Sequence, residues 1–301
     1  MVTNVKKAKK ATICDRSQAL RIAKYAGKCQ DFADFIAFLA SESQAWPSES
    51  HWFKYAGKLV SFLGNSKEAK TTPFKVFSKK NSKLPFVNFS TLPLITCPGA
   101  GACASFCYSL KAWRYPSAFF RQVQNTLLIR FDLVRIANEF QKLKKVDTVR
   151  LYVDGDFDSL RTVSFWFDLI KINPAIQFYG YSKSWDILAS FPGEYPANYT
   201  LNLSSGGKPQ TVSVDDMLAL PITRGRYIAT KVDESLITPN RYSNPEYHSA
   251  VRESAKNSGH AKPFSCPGEC GSCVKGLDGK NIHACGDKTR FSLVVIANGI
   301  H

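Results

Sequence analysis

The chain has 301 residues, 44% of them hydrophobic and 21% charged, an ordinary globular profile with enough apolar material for a core. A net charge of +16 and a pI near 9.4 favour polyanion partners, with nucleic acid foremost and DNA ahead of RNA. No apolar run reaches the roughly 18 residues of a membrane span, and the basic first residues lack the apolar core of a secretory signal. These features predict a cytoplasmic protein with no membrane partner, and they leave the oligomeric state open.

Residues 1–83 form a basic helical region. The first 80 residues carry 15 Lys or Arg against 6 Asp or Glu, which leaves nine net positive charges there. A basic arm over residues 1–12 precedes an amphipathic helix from Ser17, with Leu20, Ala23, Phe32, Phe35, Ile36 and Leu39 at helical spacing. Trp46-Pro47 breaks the pattern, and a second helix follows at about 51–63. Lys24-Tyr-Ala-Gly-Lys28 returns as Lys54-Tyr-Ala-Gly-Lys58. Two basic-aromatic elements whose tyrosines stack bases, or a chance likeness between two amphipathic helices, both account for the repeat.

Residues 84–260 alternate strand and helix. Strands are expected at 86–90 (running on toward Ile95), 148–153, 176–181, 199–203 and 227–232, with a last one at 291–297. Helices are expected at 112–145, 159–172 and 185–191. Strands separated by helices predict a parallel sheet of βαβ units. The fold class is therefore α/β: a partial or complete (β/α) barrel with an N-terminal helical extension and a Cys-rich C-terminal segment over 261–301.

Small and polar residues gather at the carboxyl ends of these strands, where α/β folds place ligands. Nine cysteines in a chain without a signal argue against a disulfide framework, and seven fall into two clusters. Cys97, Cys103 and Cys107 follow the first strand in a Gly/Ala loop. Three thiolates leave one coordination position open, which suits an iron–sulfur cluster better than structural zinc. Cys266, Cys270, Cys273 and Cys285 lie in a Gly-rich tail with too little apolar sequence for its own core, so a metal is expected to hold it. That metal is zinc or a second 4Fe–4S cluster. Asp154, Asp156 and Asp158 follow the second strand. Asp154 and Asp156 share one side if the strand runs through them, as paired carboxylates for a divalent-metal nuclease would; the alternative is a helix N-cap with turn acids. Ser182 and Lys183 close the third strand. Ser204, Ser205, Gly206 and Gly207 close the fourth and can offer backbone N–H groups to an anion. Asp154, Asp156 and Lys183 are the candidate catalytic residues. Ser182, Ser204, Ser205, Gly206 and Gly207 are the candidate ligand-binding ones.

Several stretches together resemble the gene-product-88 family of phages and mobile elements. They are Thr96-Cys-Pro-Gly-Ala100 with Cys103 and Cys107-Tyr108, Val149 through Ser159, Trp166, Pro174 through Ser184, the 204–207 loop and the C-terminal cysteines. The same stretches are similar to radical S-adenosylmethionine barrels, although Cys97, Cys103 and Cys107 are spaced more widely than the CxxxCxxC of those enzymes. Cys266, Cys270 and Cys273 do have that spacing. The resemblance implies a phage or plasmid protein with one or two 4Fe–4S clusters, and S-adenosylmethionine as a co-ligand. Whether the chain is an enzyme or a nucleic-acid-binding replication or regulatory factor braced by its metals stays open at this level.

Overall fold

The computed structural model describes residues 16–78, 86–105, 107–268, 285 and 294–300. The basic arm, Cys270 and Cys273 lie outside the described residues. Three helices open the chain: α1 (Arg16–Lys28), α2 (Phe32–Ser43) and α3 (His51–Gly64). The long helix expected from Ser17 is thus two helices. Asp31 interrupts it by accepting from Asp34 N at 2.8 Å as an N-cap. Arg130 secures the end of α1 by donating to the carbonyls of Ala26 and Cys29 at 2.6 and 2.7 Å.

The repeat has a structural use on both sides. The Tyr25 ring stacks on Phe38 with centroids 3.9 Å apart, and the Tyr55 ring meets Phe74 edge-on at 5.5 Å. Lys28 and Lys58 lie over these rings. Both tyrosines are half-buried against their own protein, which removes at least one face from base stacking. The three helices share one continuous hydrophobic cluster with the rest of the chain, where Trp46 and Trp52 meet Phe119 and Phe120.

The strands β1 (Val87–Asn88), β2 (Thr148–Leu151), β3 (Gln177–Ser182), β4 (Tyr199–Ser204), β5 (Thr223–Lys231), β6 (Phe264–Ser265) and β7 (Val294–Ile300) form one sheet. Its order is β1-β2-β3-β4-β5-β7-β6 and every pairing is parallel. The parallel α/β architecture is as expected. Five of the strands are four residues or longer, while β1 and β6 are two-residue ends. The described pairings include none between β1 and β6.

Between β1 and β2 the expected single helix is three pieces: a 3-10 helix at Tyr108–Arg114, then α4 (Pro116–Phe131) and α5 (Leu133–Gln141). Pro116 starts α4, where its missing N–H costs nothing. Asp132 ends it and caps α5 by accepting from Arg135 N. Helices α6 (Leu160–Lys171) and α7 (Trp185–Ala189) match expectation. Two further helices, α8 (Val214–Ala219) and α9 (Pro245–Asn257), were not expected. No helix among the described residues is long and apolar enough to cross a membrane.

The two faces of the sheet differ. Val149, Leu151, Phe178, Tyr199, Leu201 and Leu203 join the main core. Arg150 pairs in register with Tyr179, and Tyr181 with Asn202, on the opposite face. There Phe86 and Tyr179 pack with Tyr181, Val153 and Cys285 in a separate small cluster.

Helix α4 buries Gln122, Gln124, Asn125 and Thr126 completely. Gln124 donates to Phe74 O at 2.8 Å and accepts from Phe74 N at 3.2 Å. Asn125 Nδ2 donates to Val76 O and Ser90 O, both at 2.9 Å. Thr126 Oγ1 accepts from Leu92 N at 3.0 Å. Asn125→Ala would strand two buried carbonyls, and urea unfolding is expected to show a loss of about 2–4 kcal/mol. A loss below about 1 kcal/mol would mean water replaces the amide.

Candidate functional site

The site is built by chain leaving β1 and β2 side by side. Val153 N donates to Phe89 O and Thr91 N to Asp154 O, both at 3.0 Å. Strand β2 ends at Leu151 because Tyr152 takes φ +51, a left-handed conformation unusual for a bulky residue and held only by its surroundings. Its ring is buried and its hydroxyl accepts from Trp166 Nε1 at 2.9 Å. The condition for Asp154 and Asp156 to share one side is therefore not met. Gly155 turns the chain between them at φ +84, where a Cβ would lie 2.0 Å from Thr91 Oγ1.

The three aspartates do three jobs. Asp154 Oδ2 accepts from Gln122 Nε2 at 2.9 Å, and Gln122 Oε1 accepts from Trp113 Nε1 at 2.9 Å. Asp156 is 4% exposed. Its Oδ1 accepts from Ser182 Oγ at 2.7 Å and Phe157 N at 2.8 Å, and its Oδ2 from Lys183 N at 2.8 Å. Asp158 accepts from Thr162 Oγ1 at 2.5 Å, while the N-cap of α6 is Ser159, whose Oγ accepts from Thr162 N at 3.3 Å.

Asp156, Ser182, Lys183 and Ser204 do come together, since Lys183 Nζ donates to Ser204 Oγ at 2.8 Å. The cysteine loop crosses directly over them. Ala100 and Gly207 form an antiparallel bridge. Cys103 N donates to Gly206 O and Lys208 N to Gly99 O, both at 3.0 Å. A Cβ on Gly99 would sit 1.9 Å from Lys183 O. The 204–207 loop is thus a ledge for the cysteine loop. Ser205 is bonded into β5, with its N donating to Tyr227 O and its Oγ accepting from Ala229 N.

Cys97, Cys103 and Cys107 are each half-buried and unbridged. Burial pushes the Cys97 thiol well above the ordinary cysteine range, the charges of Asp156 and Cys107 add to this, and Lys183 opposes it. Burial also raises Asp154 and Asp156, outweighing the hydrogen bonds and cations that favour their charged forms. Among the described residues no group of three or more His, Cys, Asp or Glu side chains stands together as a ready metal site.

The C-terminal cysteines are divided. Cys266 follows β6 and accepts from Gly268 N at 3.4 Å. Cys285 lies against Tyr179 and Tyr181 on the polar face of the sheet, with its carbonyl accepting from Asn202 Nδ2 at 2.8 Å. Gln122, Arg150 and Asn202 belong to the site's surroundings and carry no motif of their own. The run of polar residues inside the otherwise apolar α4 was the signal for Gln122. Arg150 and Asn202 are marked only by being polar within apolar strands.

Fold and site together define an α/β protein whose parallel sheet presents a cysteine loop and an Asp–Ser–Lys–Ser cluster at its carboxyl edge. The family model described as gene product 88 matches residues 58–290, more than half of the chain. The protein belongs to the gene product 88 family. The match begins inside α3, upstream of Thr96, where the resembling stretches begin. No curated protein matches the chain, and no solved structure does.

Two outcomes follow. Gly99→Ala forces the loop off Lys183, so proteolytic cleavage within 97–107 is expected to accelerate. Gly57→Ala, which meets open space, leaves cleavage unchanged and serves as the control. Asp154 and Asp156 hold protons in the folded chain at pH values above the unfolded carboxyl value near 3.9. Their contribution to stability therefore falls as pH rises through that window. The drop in thermal midpoint between about pH 4 and about pH 7 should be smaller in Asp154→Asn/Asp156→Asn than in wild type; an equal drop would assign no linkage to this pair.

Proposed function

We propose that the chain is an iron–sulfur protein of a phage or plasmid, with its centre at the carboxyl edge of the sheet and Cys97, Cys103 and Cys107 as the ligands. The observation that carries this is the docking of the cysteine loop across the loops after β3 and β4, through the Ala100–Gly207 bridge and the Cys103–Gly206 hydrogen bond. A loop anchored this way keeps three thiols at one edge, beside a polar cluster able to meet a ligand. The donor set fits: soft thiolates select iron–sulfur centres. Metal binding draws ligands together as it orders them, so the thiols need not already be convergent. Cys97 holds its proton without a metal and gives it up on ligation, so loading releases protons.

Barrel-like curvature agrees with the strand order. Strands β1 to β5 are neighbours in sequence order, and right-handed crossovers in one direction put the helices on one face. The other face is then left to line an interior. Asp156 orients Ser182 and Lys183, and Lys183 carries the cation that would meet an anionic group. Ser204 holds that ammonium in place. S-adenosylmethionine, with its carboxylate, is the co-ligand proposed for this cluster, and its chemistry would be supplied by the iron centre. We prefer this to a divalent-metal nuclease because Asp154 and Asp156 are bound to different partners. Cys266, Cys270, Cys273 and Cys285 are proposed to hold a second centre, zinc or iron–sulfur. The basic balance supports nucleic acid as the macromolecular partner.

Protein purified without oxygen should be brown and contain iron and acid-labile sulfide. Cys97→Ser/Cys107→Ser should lose the iron of that centre, all of it if the C-terminal centre holds zinc and about half if that centre is a second 4Fe–4S cluster, while keeping the circular dichroism of the wild type. A colourless protein carrying stoichiometric zinc alone would sink the proposal. Calorimetric titration with S-adenosylmethionine should show binding that Lys183→Met abolishes.

A further inference from the structure

Directly after Cys107 the chain makes a seven-residue 3-10 helix, Tyr108–Arg114. Such a helix repeats every three residues and rises about 2 Å per residue, so side chains at i, i+3 and i+6 stand in one row about 6 Å apart. Tyr108, Lys111 and Arg114 occupy that row, and all three are exposed. Ser109 and Trp113 are buried, and Leu110 and Ala112 are half-buried. Tyr108 is 64% exposed and Tyr115, the next residue past the row, is 66% exposed. Few aromatic side chains among the described residues are so open to water, whereas the tyrosines of the N-terminal repeat are packed against phenylalanines.

The row is also held in place. Trp113 Nε1 donates to the buried Gln122, and the Tyr108 hydroxyl donates to Val153 O at 3.4 Å. Charge points the same way: residues 107–131 contain four Lys or Arg and no Asp or Glu. Asp154, on the adjoining loop, is engaged by Gln122.

We propose that Tyr108, Lys111 and Arg114, continued by Tyr115, form a platform for single-stranded DNA that leads a strand to the carboxyl edge. Aromatic faces stack bases without regard to sequence, and cations between them meet phosphates. A duplex keeps its bases stacked internally and offers such rings little. Within the row the Tyr108 hydroxyl is used on Val153 and the two cations are assigned to phosphates, so nothing there requires a 2′-hydroxyl, and Tyr115 past the row contributes its ring face. The proposal rests on that edge being the functional site, but the binding itself needs no metal.

The test is fluorescence anisotropy of a short labelled oligo(dT) on the full chain, as purified and after chelation, with oligo(U) and duplex competitors. Single-stranded DNA is expected to bind at least about tenfold more tightly than duplex, as sequence-tolerant stacking requires. Lys111→Gln/Arg114→Gln should flatten the slope of log K against log salt by about 1.4, the release expected for two phosphates of a single strand. Tyr108→Leu should weaken binding roughly five- to a hundredfold through lost stacking. Lys24→Gln/Lys54→Gln in the N-terminal repeat should change neither quantity. Wild-type affinity in both row variants, a preference for RNA or duplex, or a loss confined to the Lys24/Lys54 variant would each overturn the platform. If Tyr108→Leu does not fold, the exposed Lys111/Arg114 pair decides alone. Binding that survives chelation in a protein without iron leaves the platform standing and removes the iron centre; an iron-loaded protein that ignores oligo(dT) does the reverse.

Discussion

The row of buried polar side chains in α4 is the constraint on which the rest depends. A helix that covers a parallel sheet normally turns apolar side chains toward it, and burying amides costs free energy unless they are bonded. Here Gln124 and Asn125 spend their amides on the backbone of residues 74–76 and of Ser90. Thr126 takes Leu92 N, and Gln122 reaches Asp154. Those segments have no strand partner long enough to fix them, because β1 is only two residues. The helix therefore does for the start of the cysteine loop what a ladder does elsewhere: it supplies partners for backbone groups that cannot be left bare.

From that anchor the site follows by contact. Leu92 fixed on α4 places Thr91 and Thr96, whose hydroxyls lie 2.8 Å apart. These leave room for nothing larger than Gly155 in the facing turn. The turn in turn directs Asp154 toward α4 and Asp156 toward Ser182 and Lys183. Two carboxylates separated by one residue thus come to serve different networks. Burial raises both, and their hydrogen bonds keep that cost from growing to that of a bare buried charge.

Much of this was legible in the sequence, because periodicity and turn chemistry are local. Strands β2, β3 and β4 and helices α3 and α6 fall close to where apolar spacing puts them. The gathering of Ser182, Lys183, Ser204 and the cysteine loop on one edge follows from parallel strands alone. What local pattern cannot carry is which backbone group a side chain will meet many residues away. The breaks at Asp31 and Asp132 therefore carry no local signal, α9 lies behind a polar composition, and the support that the 204–207 loop gives the cysteine loop, through Gly206 O and the Ala100–Gly207 bridge, is not written in its own residues. The repeated Lys-Tyr-Ala-Gly-Lys segments show the same limit. The two sequences are identical, yet a Cβ on Gly27 would lie 2.4 Å from Ile95 Cγ2 while one on Gly57 meets open space.

The spacing of the first cysteine cluster has a physical account. Cys97 lies within electrostatic reach of Asp156, which follows β2. Gly99 presses on Lys183, after β3. Cys103 bonds Gly206, after β4. The loop therefore walks across three consecutive strand ends, and adjacent strands are about 4.8 Å apart. Crossing from the first to the third takes roughly 10 Å of chain that must also lie flat on backbone, which is the work of Gly99, Ala100, Gly101 and Ala102. The interval between Cys97 and Cys103 lets the loop lie along those strand ends, and beyond it Cys107 stands at the start of the 3-10 helix that carries Tyr108, Lys111 and Arg114 on its outer row.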